Sequence, residues 1–271
     1  MNILKTEDHK VFKDQMGRDI EVSWPPQRII SIVPSQTELL YSLGLEQEVI
    51  GITKFCVHPD SWLRAKQRVG GTKKLDFDKI AALKPDLIIG NKEENNEHEI
   101  KAIMEIYPVW MSDIHNLDDA FGMMQLVGEL TNRTEKANEI IKQAKNNFAE
   151  LDKVKYPTRR VAYFIWKNPY MLAGNDTFID NMLTLCNFKN VTVEVQGRYP
   201  ELSADTLKSL NPEVIFLSSE PFPFSSKHIE EFKAICPGAK VVLIDGEYFS
   251  WYGSRLLGAP DYFKSLLNEM Q

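Results

Sequence analysis

The feature of this sequence that most constrains its fold is a pattern that occurs twice. The segment from Asp76 to Ile89 resembles the segment from Ser203 to Phe216: an acid opens a short helical stretch, Leu-x-Pro-acid closes it, and an apolar strand follows. The spacing from acid to proline is seven residues in both copies, which lie 127 residues apart. Proline after a helix is a common terminator, so each part alone means little. The joint match predicts two lobes of like topology.

Each predicted lobe begins with an apolar strand, which is rich in β-branched residues in the first lobe. The first, from Arg28 to Val33, ends at a proline and leads into a helix that Ser35 opens. Glu38 is placed for a capping box in this helix, and Gly44 is its expected stop. The second strand covers residues 159–166. Because strands and helices keep alternating, the chain is predicted to be an α/β protein with mostly parallel strands.

A long helix is predicted between the two copies. Apolar residues recur at three- and four-residue steps from Ala137 to Leu151, in a run that Thr134 caps and Tyr156-Pro157 ends. A first helix, capped by residues 117–119, covers residues 120–130. About 19 residues at ~1.5 Å each give a rod of roughly 28 Å, which connects two lobes more stiffly than a Gly/Ser linker would. The predicted domains are an N-terminal lobe at 1–117, connecting helices at 118–155 and a C-terminal lobe at 156–271.

Composition excludes several classes of protein. A chain of 271 residues, 43% of them hydrophobic, buries enough surface to fold without disulfides or metals. Its net charge of −6 argues against nucleic acid as a partner. The three cysteines lack CxxC spacing, so neither a zinc site nor a disulfide framework is indicated, and oxidation of one pair stays open. The amino terminus lacks a signal-peptide pattern, which predicts either a cytoplasmic protein or a form without its export signal.

No enzyme signature is present in the sequence. The GxGxxG, GxxxxGK[ST], HExxH and GxSxG patterns are all missing, and His98-Glu99 lacks a second histidine at the helical offset. This lowers the expectation of nucleotide-dependent or zinc-hydrolytic chemistry. We predict no catalytic residue, no cofactor and no bound metal of the protein's own.

Polar and aromatic residues follow the predicted strands. Ligands of parallel α/β sheets gather at the carboxyl ends of the strands. The loop over residues 245–255 has four aromatic residues within five positions, which suits clamping of a large ligand with apolar and hydrogen-bonding parts. The predicted ligand-binding residues are Pro34, Ser35, Phe55, His58, Asn91, Trp166, Tyr170, Glu247, Tyr248, Trp251 and Arg255.

Structural explanations stay open for several of these positions. Trp166 and Phe249 are equally suited to a core. His58 has no partner histidine that would make a metal site. Arg255 has acidic neighbours at Asp245 and Glu247 with which it can pair.

Asp78 and Asp205 are the acids that open the two copies of the repeat. Either they cap their helices, or their carboxylates occupy equivalent positions on the surfaces of two like lobes. In the second case, a partner with two basic patches could bind both at once.

Four motifs together resemble a known family, the metal-chelate substrate-binding proteins of ABC importers. They are residues 28–38, Val69-Gly70-Gly71, residues 83–88 and residues 174–179. The resemblance covers residues 17–269 and is closest to the cobalamin-binding branch of a class that binds cobalamin, ferric siderophores or haem.

This resemblance implies two Rossmann-like lobes joined by a single long backbone helix, a ligand in the cleft and no catalysis. It implies a monomer that docks onto a permease dimer through one acid per lobe, here Asp78 and Asp205, where the family usually has Glu. It places Phe55, Trp166, Tyr248 and Trp251 on the cleft wall. It also implies a periplasmic or other extracytoplasmic location.

The sequence departs from the cobalamin-binding branch at two positions. Thr72 and Asn91 stand where that branch has large aromatic residues. The resemblance implies a corrinoid as the first expected ligand, and these two departures favour a different chelate, with a ferric siderophore or haem as the alternatives. Two other functions stay open: a chelatase-like enzyme of similar topology using His58 or His98, and a cytoplasmic chelate-handling protein without a permease.

Overall fold

The structure, a computed structural model, describes residues 8–154 and 156–270 and divides the chain into two compact units. The first unit contains the residues up to Ile114 together with 118–143 and 252–255. The second contains residues 115–117 and 144–251 and the chain from Leu256 onward. The predicted domain boundaries at residues 117 and 155 stay predictions.

The strands are short, as is usual in α/β proteins. In chain order they are β1 (Asp8–Lys13), β2 (Asp19–Trp24), β3 (Ile29–Ser31), β4 (Val49–Ile52), β5 (Gln67–Arg68), β6 (Leu87–Asn91), β7 (Val109–Ser112), β8 (Arg159–Trp166), β9 (Tyr170–Leu172), β10 (Phe188–Asn190), β11 (Glu201–Leu202), β12 (Val214–Ser218) and β13 (Lys240–Ile244).

The α-helices alternate with these strands. They are α1 (Pro34–Ser42), α2 (Asp60–Ala65), α3 (Phe77–Leu83), α4 (Glu97–Met104), α5 (Leu117–Leu130), α6 (Thr134–Asp152), α7 (Phe178–Leu185), α8 (Ala204–Ser209), α9 (Ile229–Ile235), α10 (Glu247–Ser250) and α11 (Ala259–Asn268). Short 3-10 turns cover Val191–Glu194, Ser226–His228 and Ser254–Leu257.

The first unit is built on a five-stranded sheet in the order β5-β4-β3-β6-β7, with every neighbouring pair parallel. The chain starts in the middle at β3, proceeds outward through β4 and β5, and returns to lay β6 on the other side of β3. All residues of β3 and β6 are buried, as expected where helices cover both faces. The carboxyl ends of β3 and β6 therefore flank a topological switch point, where open α/β sheets bind ligands.

An antiparallel hairpin of β1 and β2 precedes this sheet, and our sequence analysis did not include it. The Trp24 indole donates a hydrogen bond to the Glu129 carbonyl, and the Gln15 amide donates one to the Asp119 carbonyl. Both acceptors belong to α5, so the hairpin is held against α5 of the same unit.

The second unit repeats the central pattern. Strand β12 is parallel to both β8 and β13, and β10 is parallel to the first residues of β8. Strand β9 is antiparallel to the end of β8, and β11 is antiparallel to β9. The carboxyl ends of β8 and β12 thus flank the switch point of this sheet, as β3 and β6 do in the first. The prediction of an α/β fold with two lobes built on mostly parallel sheets is confirmed.

A repeated polar clamp holds the start of each sheet. In the first unit, the Asp86 carboxylate accepts hydrogen bonds from the backbone N–H groups of Gln27 (2.7 Å) and Arg28 (2.9 Å). The Arg28 guanidinium donates in turn to the Leu83 carbonyl at the end of α3. One acid and one arginine thereby join the end of a helix to the start of a strand.

The second unit has the same clamp at the equivalent positions. The Glu213 carboxylate accepts from the Arg160 N–H (2.8 Å), and the Arg160 guanidinium donates to the Leu210 carbonyl (2.6 Å). Lys84 and Asn211, which follow the two helices, both have a φ of +46°. The sequence repeat therefore corresponds to a repeated local structure.

Helix α1 begins differently from our prediction and ends as predicted. It starts at Pro34 after the extended residue Val33, and no side chain caps it, so the predicted capping box with Glu38 is wrong. Proline in the first turn has no N–H to satisfy, which reduces the need for a cap. The predicted stop is confirmed, because Gly44 has a φ of +78° and donates to the Tyr41 carbonyl.

Helix α6 covers Thr134–Asp152, so it begins at the predicted cap residue, ends before Tyr156-Pro157, and has the predicted length of 19 residues. Its residues up to Gln143 belong to the first unit, and those from Ala144 belong to the second. The predicted apolar stripe is buried at Ala137, Ile140, Ala144, Phe148 and Leu151.

All three cysteines are free and buried: Cys56, Cys186 and Cys236. In the described part of the chain, no helix combines the length and the apolar character that a membrane span requires.

Candidate functional site

Asn91 ends β6 at the switch point of the first unit. Its amide nitrogen donates to the Ser112 hydroxyl (2.9 Å), and its amide oxygen accepts from the N–H groups of Glu93 (2.8 Å) and Glu94 (3.0 Å). The side chain is buried. A ligand would have to displace one of these bonds, so the geometry favours a structural role for Asn91 over the predicted contact.

Gln36 lies in the first turn of α1 and is 1% exposed. Its amide nitrogen donates to the Ser112 hydroxyl (2.6 Å), whereas its amide oxygen has no hydrogen-bond partner among the described residues. A buried unsatisfied oxygen is uncommon in a folded protein. Gln36 is not among the predicted ligand residues, although it belongs to the polar loop directly after the first predicted strand, from which Pro34 and Ser35 were selected.

Two threonines hold the Cys56 thiol at the end of β4. The Thr37 hydroxyl donates to its sulfur (3.1 Å), and the Thr53 hydroxyl lies 3.2 Å away. Burial raises the pKa of this thiol, so it stays protonated and unreactive. The neighbouring Ser35 is also buried, and Pro34 and His58 are partly exposed.

Phe55 is the most exposed of the predicted ligand residues in the first unit, at 51%. Its ring lies against Gly71, where an added Cβ atom would approach the ring to 3.0 Å. The Lys54 ammonium is 5.0 Å from the ring centroid, within cation–π range. The aromatic face is therefore held in position and open to solvent.

Arg255 forms a bidentate ion pair with Glu38. The guanidinium donates to the two carboxylate oxygens at 3.1 and 2.8 Å. Gly253, with a φ of +115°, lets this segment approach α1, because an added Cβ would lie 3.2 Å from the Leu39 side chain. Our sequence analysis considered Asp245 and Glu247 as partners for Arg255 and did not include Glu38.

In the second unit, Trp166 ends β8 and is 40% exposed. Phe222, on the loop after β12, packs edge-to-face against it with ring centroids 5.6 Å apart. Our sequence analysis missed this loop. The repeat could have indicated this loop, because β12 is the counterpart of β6, and Asn91 at the end of β6 was among the predicted ligand-binding residues.

Trp251 is 5% exposed, and its indole donates to the Glu220 carboxylate (2.8 Å). The Ser250 hydroxyl donates to the same oxygen (2.6 Å). Burial raises the pKa of Glu220, and the carboxylates of Glu247 and Asp245 raise it further. The structure therefore has Trp251 packed against an acid, where we expected it on an open wall.

The remaining predicted residues of the second unit contact other side chains of that unit. Tyr248 stacks on Tyr262, with centroids 4.5 Å apart and planes 14° from parallel. The Tyr170 hydroxyl donates to Glu231, and burial and this bond raise the pKa of Tyr170 to about 12. Phe249 is fully buried, in agreement with the core alternative.

Neither Asp78 nor Asp205 caps its helix. The N-cap of α3 is Asp76, which accepts from the Lys79 N–H (3.2 Å), and the N-cap of α8 is Ser203. Each predicted acid lies two residues beyond the cap, at an equivalent exposed position. The capping interpretation is therefore wrong, although a carboxylate in the first turn still benefits from the helix dipole.

Comparison with protein families decides the class of the protein. A family model described as periplasmic binding protein matches residues 29–237, which is more than half of the chain. The chain belongs to this family.

Relatives of this family member include a substrate-binding lipoprotein of an ABC transporter and several vitamin B12-binding proteins. It is 26% identical over 222 residues to the uncharacterized ABC transporter substrate-binding lipoprotein YvrC of Bacillus subtilis, covering 78% of this chain and 70% of that protein. It is 22% identical over 250 residues to the vitamin B12-binding protein of Pectobacterium carotovorum, covering 90% of each.

Solved structures share the fold of this periplasmic binding protein. The periplasmic vitamin B12 binding protein BtuF of Vibrio cholerae matches with a TM-score of 0.77 and 20% identity, over 90% of this chain and 98% of that one. The haem-binding protein RhuT from Roseiflexus matches at 0.76 and 18% identity, over 90% and 99%. The family resemblance stated from the sequence motifs is confirmed.

The predicted ligand residues of this family member are divided between the two units. In the first are Pro34, Ser35, Phe55, His58, Asn91 and Arg255, and in the second are Trp166, Tyr170, Glu247, Tyr248 and Trp251. Within the described residues, no group of three or more His, Cys, Asp or Glu side chains is arranged to hold a metal ion.

Proposed function

We propose that this protein is the substrate-binding component of an ABC importer and that its cargo is a metal chelate, with a corrinoid as the leading candidate. The observation that carries this proposal is the exposure of large aromatic side chains at strand ends. Phe55 is 51% exposed beyond β4, and Trp166 is 40% exposed at the end of β8. Exposed aromatic faces beside the switch points suit a large ligand with apolar faces.

The choice of cargo is supported by the relatives. Several curated relatives carry the name vitamin B12-binding protein, and one of them covers 90% of this chain. Haem and ferric hydroxamates are the alternatives, because proteins of the same fold are named for them. Identities of 18% support the fold of those proteins and leave the choice of ligand to experiment.

Thermal unfolding with a ligand panel tests the proposal. Cyanocobalamin, hemin and a ferric trihydroxamate are added separately, and the free energy of unfolding is measured. A ligand at 100 times its dissociation constant stabilises the folded state by about 2.7 kcal/mol. If none of the three shifts the unfolding midpoint, and calorimetric titration detects no binding, the chelate-carrier proposal fails.

Docking onto a permease is the second part of the proposal. Asp78 and Asp205 are exposed at equivalent positions of α3 and α8, one in each unit. We propose that they contact two basic patches of a permease dimer and that the carrier itself is a monomer. The double variant Asp78→Lys/Asp205→Lys should abolish uptake while chelate affinity in solution stays the same.

A matched control for this variant is Asp261→Lys. Asp261 is also an exposed acid in the first turn of a helix, α11, which lies outside the repeat. We expect this control to take up ligand normally. Normal uptake by the Asp78/Asp205 double variant would reject the docking role.

Catalysis by a chelatase-like enzyme is the competing function. That reading requires His58 or His98 as a proton acceptor or metal ligand. His98 is exposed at the start of α4, and its N–H donates to the Asn96 cap. We expect a His58→Ala/His98→Ala variant to retain most of its chelate binding, with a loss no larger than the one contact predicted for His58. Metal insertion by the wild type that this variant loses would establish the enzyme instead.

A further inference from the structure

The loop after β12 carries an aromatic residue that we had not assigned to the ligand. Residues 220–224 read Glu-Pro-Phe-Pro-Phe, so Phe222 stands between two prolines. Proline fixes φ and restricts its neighbour, which limits the conformations of this loop. The loop follows β12 and therefore lies at the switch point of the second unit.

Phe222 is joined to the end of β8 in two ways. Its N–H donates to the Ile165 carbonyl (3.2 Å). Its ring meets the Trp166 ring edge-to-face, with centroids 5.6 Å apart and planes at 71°. A backbone bond and a ring contact together hold two neighbouring strand ends in one arrangement.

The ring of Phe222 is also supported from within the unit. Phe224 packs against it at 4.7 Å and His228 at 5.5 Å. Phe224 is buried, and the His228 ring is fixed because its Nδ1 accepts from the Ser225 N–H (3.0 Å). The pair is therefore rigid before any ligand arrives, which reduces the ordering cost of binding.

Trp166 remains 40% exposed although this support is available. A flat apolar surface that covers the open face of a ring beside a switch point removes apolar area from water, which favours binding. We propose that Trp166 and Phe222 form an aromatic ledge that contacts the face of a conjugated macrocyclic chelate. This inference rests on the proposed function and narrows its cargo to planar macrocycles, as opposed to compact hydroxamate complexes.

Calorimetric titration with cyanocobalamin, hemin and a ferric trihydroxamate tests the ledge. The wild type should bind at least one macrocycle more tightly than the trihydroxamate. Phe222→Leu should weaken macrocycle binding about tenfold, which is the ~1.4 kcal/mol expected for one aromatic contact. Trp166→Leu should weaken it at least as much, and Trp166→Phe should restore part of the affinity.

Tyr41→Leu is the matched control. Tyr41 is 44% exposed and packs edge-to-face on Trp62 at 5.4 Å, so it has the same kind of contact as Phe222. It lies near the end of α1, away from the carboxyl ends of the strands. We expect this variant to bind macrocycles within twofold of the wild type.

The outcomes separate the ledge from the proposed function. Wild-type binding of the trihydroxamate alone, or unchanged macrocycle affinity in Phe222→Leu, overturns the ledge and leaves the carrier intact. If Phe222→Leu abolishes uptake of the macrocycle while its affinity for the macrocycle is unchanged, the ledge contacts a partner protein and not the ligand, which also overturns the inference. Binding of none of the three ligands removes the carrier proposal itself. If Phe222→Leu unfolds, Phe222→Tyr and the induced circular dichroism of the bound macrocycle take its place.

Discussion

Single residues at strand ends decide which side chains are left for a ligand. Asn91 and Trp251 were both predicted to face a ligand, yet each is buried with a specific partner. Trp251 is inside because an acid, Glu220, accepts its indole N–H. No local pattern indicates that acid, since the two residues are 31 positions apart.

The acid of the repeated clamp offers a test at the residue scale. Asp86→Ala leaves two backbone N–H groups without acceptors and should cost about 1–2 kcal/mol in urea unfolding. Asp86→Asn keeps one acceptor oxygen and should cost less. Glu213→Ala, which frees only the Arg160 N–H, should fall between Asp86→Ala and the wild type. Equal stability of Asp86→Ala and the wild type would show that the clamp contributes nothing.

Glu220 gives a prediction about pH. Its pKa is raised above the ordinary 4.5 in the folded state, so the native state binds this proton more tightly than the unfolded chain. The free energy of unfolding contributed by this group therefore falls as the pH rises from 4.5 through the raised pKa. Glu220→Gln retains an oxygen that accepts from Ser250 and Trp251, and it should be more stable than the wild type at neutral pH.

The advantage of Glu220→Gln should shrink as the pH falls through the raised pKa towards 4.5, and should stay constant below 4.5. Urea unfolding of both proteins across the pH range measures it, with Glu201→Gln on the exposed end of β11 as the control. An advantage that does not change with pH would contradict this account.

At the scale of elements, periodicity predicted most of the architecture. The bounds of α6 and β8 agree with the pattern in the sequence, because an apolar stripe and a β-branched run are local signals. The capping box failed at Glu38, whose carboxylate pairs instead with Arg255, 217 positions away. The capping alternative for Asp78 failed because Asp76, two residues earlier, precedes the same apolar stretch and is the N-cap of α3.

The end of α1 provides the prediction at this scale. Gly44 has a φ of +78°, and an added Cβ would meet nothing within 4 Å, so a substitution there changes only backbone strain. Gly44→Ala should destabilise the protein by roughly 1–2 kcal/mol. Gly238 also has open space and has no such φ, so Gly238→Ala is the control and should be close to neutral. Equal melting temperatures for the two variants would reject the role of Gly44 as a helix stop.

At the scale of the whole molecule, the three cysteines are all free and inside. Burial raises the pKa of each thiol, which disfavours the reactive thiolate. A thiol reagent should therefore label the native protein slowly and should label all three sites rapidly in concentrated guanidinium chloride. A reductant should leave the melting temperature unchanged, and a lower melting temperature would indicate a disulfide.

The exposed position of Trp166 also makes it an intrinsic fluorescence probe. Trp62, Trp110 and Trp251 are at most 5% exposed, whereas Trp166 is 40% exposed. The fifth tryptophan, Trp24, is partly exposed, so in a Trp24→Phe variant the emission at the red edge of the tryptophan spectrum, and its quenching by acrylamide, should come largely from Trp166. The proposed binding of a ligand at the end of β8 can then be followed by the fluorescence of Trp166, without an attached dye.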